Sequence, residues 1–344
     1  MPSRPLPIVI VGAGAIVRTA HLPAYRRLGF KVAGIFDIRD EAAHETARQF
    51  EVERVFGSLD EASAAGADHA VFDVAVPGDQ IVSVVERLPV GTGVLIQKPM
   101  GEDLAMARRI LEACRARRLV AAMNFQLRFS PNVMAVHDLV EHGGLGDITD
   151  IEVRVVDRQP WEQWSFLERT PRLEVLYHSI HYLDAIRSLV GDPDAVYCRA
   201  VPHPQLSAYR DTRSTIILDY GVRIRCSLTL NHTHRYGAEQ RASLLKVEGT
   251  TGAALLTLGV NLDYPAGPPD RLDVTAAGGG WRSVPLRGSW FTEAFEGPMS
   301  NLQRFVAGED QALVSPLDDA IKTMALVEAC YESSTRGGTP IPAV

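Results

Sequence analysis

This sequence predicts an α/β chain, with a doubly wound parallel sheet in its N-terminal part and an α+β domain, mainly antiparallel, after it. Three observations carry that reading. A β-branched run, Ile8 to Val11, leads straight into Gly12-Ala13-Gly14 and then into a helical pattern. Strand runs and helical stretches alternate as far as Asn124. Beyond that point apolar residues recur at every second position, first in I-T-D-I-E-V-R-V-V at 148–156, the period of a strand with one covered face.

Taken in order, the first strand is Ile8 to Val11, whose apolar run suits a strand buried on both faces. Gly12 allows a sharp turn, and Gly14 lets a pyrophosphate approach the main chain. The helix beginning near Ala15 and Ile16 offers N–H donors and the positive end of its dipole. This reads as the dinucleotide-binding turn of a Rossmann domain, the alternative being an ordinary tight βα turn. The third glycine of G-x-G-x-x-G is replaced by Val17, which implies looser helix–strand packing rather than lost phosphate binding. The second strand is Lys31 to Phe36, and Asp37 follows it. An acid there accepts hydrogen bonds from ribose hydroxyls and repels a 2′-phosphate, favouring NAD. Arg39, two residues on, would pair with such a phosphate and keeps NADP possible. Asp37 also reads as the cap of a helix over 41–50.

Ala70 to Val76 is the third strand, ending at the Pro77-Gly78 turn; Gly93 to Ile96 is the fourth and runs into Gln97-Lys98-Pro99; Val120 to Asn124 is the fifth. A helix is expected over 103–118. Ligands of such sheets bind beyond the carboxyl ends of the strands, which places Pro77, Gln97 and Lys98 at the ligand edge. Gln126 to Pro131 reads as a hinge, dividing the chain into a dinucleotide-binding domain, 1–125, and a substrate-binding and oligomerisation domain, 126–344. In the second domain a helix is expected over 132–141 and strands over 148–156, 214–218, 223–230 and 242–248. Amphipathic helices are expected over 289–306 and 317–334.

The 344 residues, 46% hydrophobic, suffice for two cores. A net charge of −7 argues against nucleic acid as a partner. No apolar run is long enough to span a membrane, and M-P-S-R-P lacks the apolar core of a signal peptide. Cys114, Cys198, Cys226 and Cys330 are scattered, which fits a reducing cytoplasm and no cysteine-based metal site.

The chain resembles the glucose–fructose oxidoreductase, inositol dehydrogenase and rhizopine catabolism family, Gfo/Idh/MocA. The resemblance rests on G-A-G-A-I-V-R-T-A-H-L-P-A at 12–24, on Q-K-P at 97–99 where the family usually shows E-K-P, and on H-S-I-H-Y-L-D at 178–184. It implies an open sheet packed against helices in the second domain. Such a sheet needs cover, so a homodimer or homotetramer is expected. In the family the lysine matching Lys98 relays a proton or binds the substrate hydroxyl near the nicotinamide. The residues agree: lysine is scarce here, yet one stands at the ligand edge, and a desolvated lysine, unlike arginine, gives up its proton.

Glu174 to Leu189 reads as a helix on which Tyr177, His181 and Asp184 share a face. The family pattern is D-x-G-x-H-x-x-D. His181 and Asp184 match its last two members, whereas Tyr177 and Ser179 replace its aspartate and glycine. Imidazole titrates near neutrality, so His181 is assigned as acid/base, Lys98 as its electrostatic partner and Tyr177 as positioner of the reacting oxygen. Lys98 and His181, encoded far apart, are expected beside one nicotinamide ring. Substrate contacts are assigned to Lys98, Arg128, Trp161, Trp164, His178 and His181. The indoles suit the C–H faces of a sugar and equally suit packing; Arg158, Arg169 and Arg172 suit the carboxylate of a sugar acid. His232 and His234 alternate at a strand end, on one face, without a carboxylate or cysteine beside them, and read as a polar lining or interface rather than a metal site.

These features point to a cytoplasmic NAD(P)-dependent oxidoreductase transferring a hydride between nicotinamide and a hydroxyl-bearing carbon of a sugar, polyol or sugar acid. The alternatives are an internal-redox enzyme that retains its cofactor, and a noncatalytic NAD(P)-binding sugar sensor, to which Gln97 and Tyr177 lend weight.

Overall fold

The computed structural model describes residues 1–67, 69–265 and 267–342. The chain forms two compact units. The first joins Met1–Ser130 to Trp290–Met324; the second joins Pro131–Ser289 to the chain from Ala325 onward.

The first unit is built on β1 (Ile8–Val11), β2 (Val32–Phe36), β3 (Val71–Val74), β4 (Gly93–Gln97) and β5 (Val120–Asn124). All pair in parallel, in the order β2-β1-β3-β4-β5. Strands β1, β3 and β4 are buried along their whole length, as their apolar runs require. The strand order reverses between β1 and β3, which makes the crevice beyond their carboxyl ends the ligand edge of the sheet. Between β4 and β5 runs the helix Leu104–Ala116. Asp103 caps it by accepting a hydrogen bond from Met106 N at 2.7 Å, and its stripe of Ala107, Ile110, Leu111 and Cys114 is buried.

The expected boundary at 125 misses the return of the chain. The helix Glu296–Val306 packs against β4 and β5, and Ser315 holds Met123 through its backbone (2.8 Å) and its hydroxyl (2.6 Å). Trp290–Met324 therefore completes the first unit, although nothing in its amphipathic pattern says which sheet it covers. The helix expected from Ser289 starts only at Glu296. The residues before it serve as apolar anchors, Phe295 packing on Ala20 and Ala24.

The second unit contains an eight-stranded sheet of β6 (Ile148–Val156), β7 (Ala195–Val201), β8 (Arg213–Asp219), β9 (Arg225–Asn231), β10 (Ala242–Gly249), β11 (Gly252–Thr257), β12 (Arg271–Ala276) and β13 (Arg282–Val284). Its order is β13-β12-β11-β10-β6-β9-β8-β7, and every pair is antiparallel except β6 with β9. Strands β7, β11, β12 and β13 go beyond the sequence reading. Burial alternates: in β8, Ser214, Ile216 and Leu218 are buried while Thr215 and Ile217 are exposed. The outward face carries an exposed cross-strand pair, Tyr197 opposite Ile217. The helices Pro131–Glu141 and Ile180–Val190 pack on each other.

Candidate active site

In the first unit the loop after β1 shows why its glycines are glycines. Gly12 has φ +112°, and a Cβ there would lie 2.3 Å from the carbonyl oxygen of Ala75 as the chain leaves β3. A Cβ on Gly14 would meet no atom within 4 Å, so the space over Gly14 is open. The first helical bond runs from Arg18 N to the Gly14 carbonyl, leaving the preceding N–H groups, those of Ala15 and Ile16 among them, outside the helical ladder. Asp37 ties the loop down: its Oδ2 accepts from Ala13 N at 2.7 Å and its Oδ1 from Arg39 N at 2.8 Å. Asp37 does not cap the following helix, which starts at Asp40 with Arg39 in the cap position. Val17 is fully buried in the core, so the looser packing expected of it is not seen. The helix opens into a wide π turn over Val17–His21.

Below this loop lies a buried polar chain that the sequence reading passed over. His21 Nδ1 lies 2.7 Å from Asp73 Oδ2, and the same oxygen accepts from the Tyr25 hydroxyl at 2.8 Å. Asn124 Nδ2 donates to Gln97 Oε1 at 2.8 Å and lies 3.2 Å from His21 Nε2. With that amide donating, His21 accepts at Nε2 and donates at Nδ1. Burial and then the Asp73 charge hold the Tyr25 hydroxyl well above its usual range. The signal was visible in A-V-F-D-V-A-V, where a lone aspartate interrupts a buried strand.

Gln97 closes β4 and Lys98 follows it, so both stand at the carboxyl edge of the sheet that carries Gly12. Part of Lys98 stays exposed, yet the protein around its amine desolvates it and lowers its pKa to about 7. Pro77 is exposed at the turn after β3. Arg128 is committed within its own unit: it donates to the Val314 carbonyl at 2.8 Å and to Asp319 Oδ2 at 2.6 Å, a placement that accounts for it without a substrate.

In the second unit the expected helix starts with a π turn, Val175–Ser179, before the regular helix Ile180–Val190. The wider turn replaces the i, i+4 spacing on which the shared face of Tyr177 and His181 was reckoned. Tyr177 is half-buried, with its ring 5.8 Å from Phe166, and packs on the cluster of Trp161, Leu167, Leu173 and Tyr209. His181 and Asp184 are buried. His178, half-buried, stands between Trp161 (ring centroids 4.7 Å apart) and His232 (4.5 Å). Trp161 is a core residue at 2% exposure; Trp164 stands 5.6 Å from the ring of Tyr264. Arg172 is paired with both oxygens of Glu328, at 2.7 and 2.6 Å.

His232 and His234 do not share a face. His232 turns inward, whereas His234 lies against the Gly237 carbonyl at 3.1 Å. Nor does His232 lack carboxylates: Asp157 Oδ1 lies 2.7 Å from its Nδ1 and Glu174 Oε1 lies 3.3 Å from its Nε2. Both acids come from other stretches of chain, so local sequence could not show them. Burial opposes a charge on this ring, but the two carboxylates outweigh it and raise its pKa to about 10.

The oxidoreductase family with an NAD-binding Rossmann fold, GFO_IDH_MocA, matches residues 6–125, and the GFO/IDH/MocA C-terminal domain matches residues 133–255. This chain belongs to the Gfo/Idh/MocA family. Relatives of this Gfo/Idh/MocA oxidoreductase include a D-apiose dehydrogenase from Paraburkholderia graminis, 28% identical, with 96% of this chain and 88% of that protein covered. An inositol 2-dehydrogenase from Rhizobium meliloti is 23% identical, with 94% and 95% covered. Among solved structures, an oxidoreductase from Agrobacterium radiobacter in complex with NAD+, L-tartaric acid and magnesium superposes with a TM-score of 0.81 at 21% identity, covering 97% of this chain and 98% of that one. The first unit of this Gfo/Idh/MocA protein is thus an NAD-binding domain, and its residues fit the nucleotide: a glycine forced by the β3 exit, open space over Gly14 and an acid after β2. No helix among its described residues is long and apolar enough to cross a membrane.

Proposed function

We propose that the protein is an NAD-dependent dehydrogenase that oxidises a secondary hydroxyl of a sugar, polyol or sugar acid, with NADP as a weaker cofactor. The observation that carries this reading is Lys98, an amine whose proton is exchangeable near pH 7, at the carboxyl edge of the sheet that presents Gly12 and Gly14. The names of the relatives, dehydrogenases of apiose, inositol and a glucoside, support the substrate class.

Gly12, Gly14, Ala15 and Ile16 hold the pyrophosphate, Asp37 and Arg39 face the adenosine ribose, and Pro77 and Gln97 border the nicotinamide end. Bound nicotinamide supplies the hydride acceptor. His181 takes the hydroxyl proton and passes it to solvent, Lys98 stabilises the developing alkoxide as its electrostatic partner, and Tyr177 positions the reacting oxygen. His178 and Trp164 contact the substrate. The protein works in the cytoplasm, where its four buried free cysteines stay reduced. It assembles as a homodimer or homotetramer through the outward sheet face that carries Tyr197 and Ile217.

A panel of aldoses, polyols and aldonates assayed with NAD and NADP tests the reading. NADH formation with at least one member is expected, and His181→Ala should lower kcat by about 10²–10⁴-fold. Turnover of His181→Ala at the wild-type rate would remove that residue from the mechanism. Tight NAD binding with no turnover on any member would instead favour a sugar sensor. Product formation at constant 340 nm absorbance would favour an enzyme that retains its cofactor.

A further inference from the structure

The second unit holds a buried ionic cluster to which the mechanism above gives no part. His232 is 1% exposed, and Asp157 and Glu174 are fully buried. Carboxylate oxygens face both of its ring nitrogens, and only an imidazolium donates at both. Each acid is fixed in turn. Asp157 follows β6; its Oδ2 accepts from Gln159 Nε2 at 2.7 Å, and its backbone pairs with Asn231 and His234. Glu174 immediately precedes the π turn, and its Oε1 also accepts from the Ser179 hydroxyl at 2.8 Å. Asp211 receives the N–H groups of Leu173 and Glu174 at 2.9 and 3.0 Å, and the Tyr331 hydroxyl at 3.0 Å.

The cluster therefore clamps the π turn at both ends. Glu174 immediately precedes it and Ser179 closes it, and one carboxylate oxygen joins them to His232. Between those ends lie Tyr177 and His178, and the ring of His178 rests directly on that of His232. A buried charge is costly unless it is paired, and here the pairing coincides with the one non-α turn of the helix that carries the site candidates.

We propose that His232, as an imidazolium bound to Asp157 and Glu174, is a positioning residue that holds the Val175–Ser179 turn and the ring of His178 in register for the substrate. The ring proton is retained through the working pH range, in keeping with a pKa raised to about 10. The proposal rests on the dehydrogenase reading for its kinetic consequence but not for its geometry.

The test uses the full chain, labelled with 15N-histidine, as wild type and His232→Gln. In the wild type both ring nitrogens of His232 should be protonated at pH 8; a singly protonated ring overturns the proposal. In His232→Gln the His178 ring signals should broaden or double, those of His21 in the other unit should stay unchanged, and NAD affinity should hold within about twofold. On a sugar turned over by the wild type, kcat should fall by about tenfold or more with KM little changed, measured well below the unfolding temperature. Wild-type kcat in a folded His232→Gln overturns the proposal, because a purely structural role lowers the unfolding temperature and leaves kcat alone. If His232→Gln does not fold, Asp157→Asn, which keeps an acceptor oxygen but no charge, carries the kinetic comparison. A wild type that turns over no sugar defeats the dehydrogenase reading, and the His178 ring signals in the variant then decide the positioning role alone.

Discussion

Replacing Lys98 by methionine separates the cost of this residue from its use. The folded protein releases the amine's proton at about pH 7, whereas an ordinary lysine, as in the unfolded chain, holds it up to 10.5. The unfolded state therefore binds more protons between those values. The burden on stability is full below pH 7 and fades as pH rises towards 10.5. A gap of that size corresponds to roughly 5 kcal/mol against the charged form. Part of the side chain is exposed, so about half of that is the reasonable expectation. Lys98→Met should then be more stable than wild type by about 2 kcal/mol at pH 6 and by about 0.7 kcal/mol at pH 9.5. Urea unfolding of both proteins at the two pH values measures this. A stability difference that is the same at pH 6 and 9.5, or that favours the lysine at pH 6, would refute the reasoning. The same variant should lose about 10²-fold or more in kcat, which would make Lys98 a residue kept for function against stability.

Asp73→Ala strands the His21 imidazole and the Tyr25 hydroxyl in the core, and should cost about 3 kcal/mol or more in urea unfolding. Gly12→Ala puts a methyl group against the Ala75 carbonyl in a positive-φ conformation, and should weaken NAD binding by about tenfold or more in a fluorescence titration. Asp37→Ser removes the acid proposed to face the ribose, and should shift the ratio of NADP to NAD affinity towards NADP by about tenfold; an unchanged ratio would remove Asp37 from cofactor selection.

The strands of the first unit were legible because each is a short apolar run, three of them (β1, β3 and β4) ending at a Gly or Pro signal, and the alternation of strand and helix fixes a parallel sheet. The acid after β2 and the lysine after β4 were legible for the same reason: topology puts strand ends at the ligand edge. Less could be seen where distant segments meet. Strands β11 to β13 are short or carry acids such as Asp273 inside the run, so their alternation is weak. The return of Trp290–Met324 to the first sheet depends on contacts with β4 and β5 that no local pattern encodes. The imidazolium of His232 escaped because Asp157 and Glu174 lie 75 and 58 residues away, and a histidine's charge is set by what folds against it. Asp73 is different: a charge inside A-V-F-D-V-A-V was readable and pointed to a buried partner.

The late return of Trp290–Met324 also sets the order in which the protein can be finished. A ribosome that has made β1 to β5 has made a sheet whose β4 and β5 still lack the helix Glu296–Val306. That helix emerges only after the whole of Pro131–Ser289 has been translated, on the order of ten seconds or more later. Until then β4 and β5 lack the apolar cover of Met299 and Leu302, and the nascent nucleotide domain is open to the aggregation that exposed apolar surface invites.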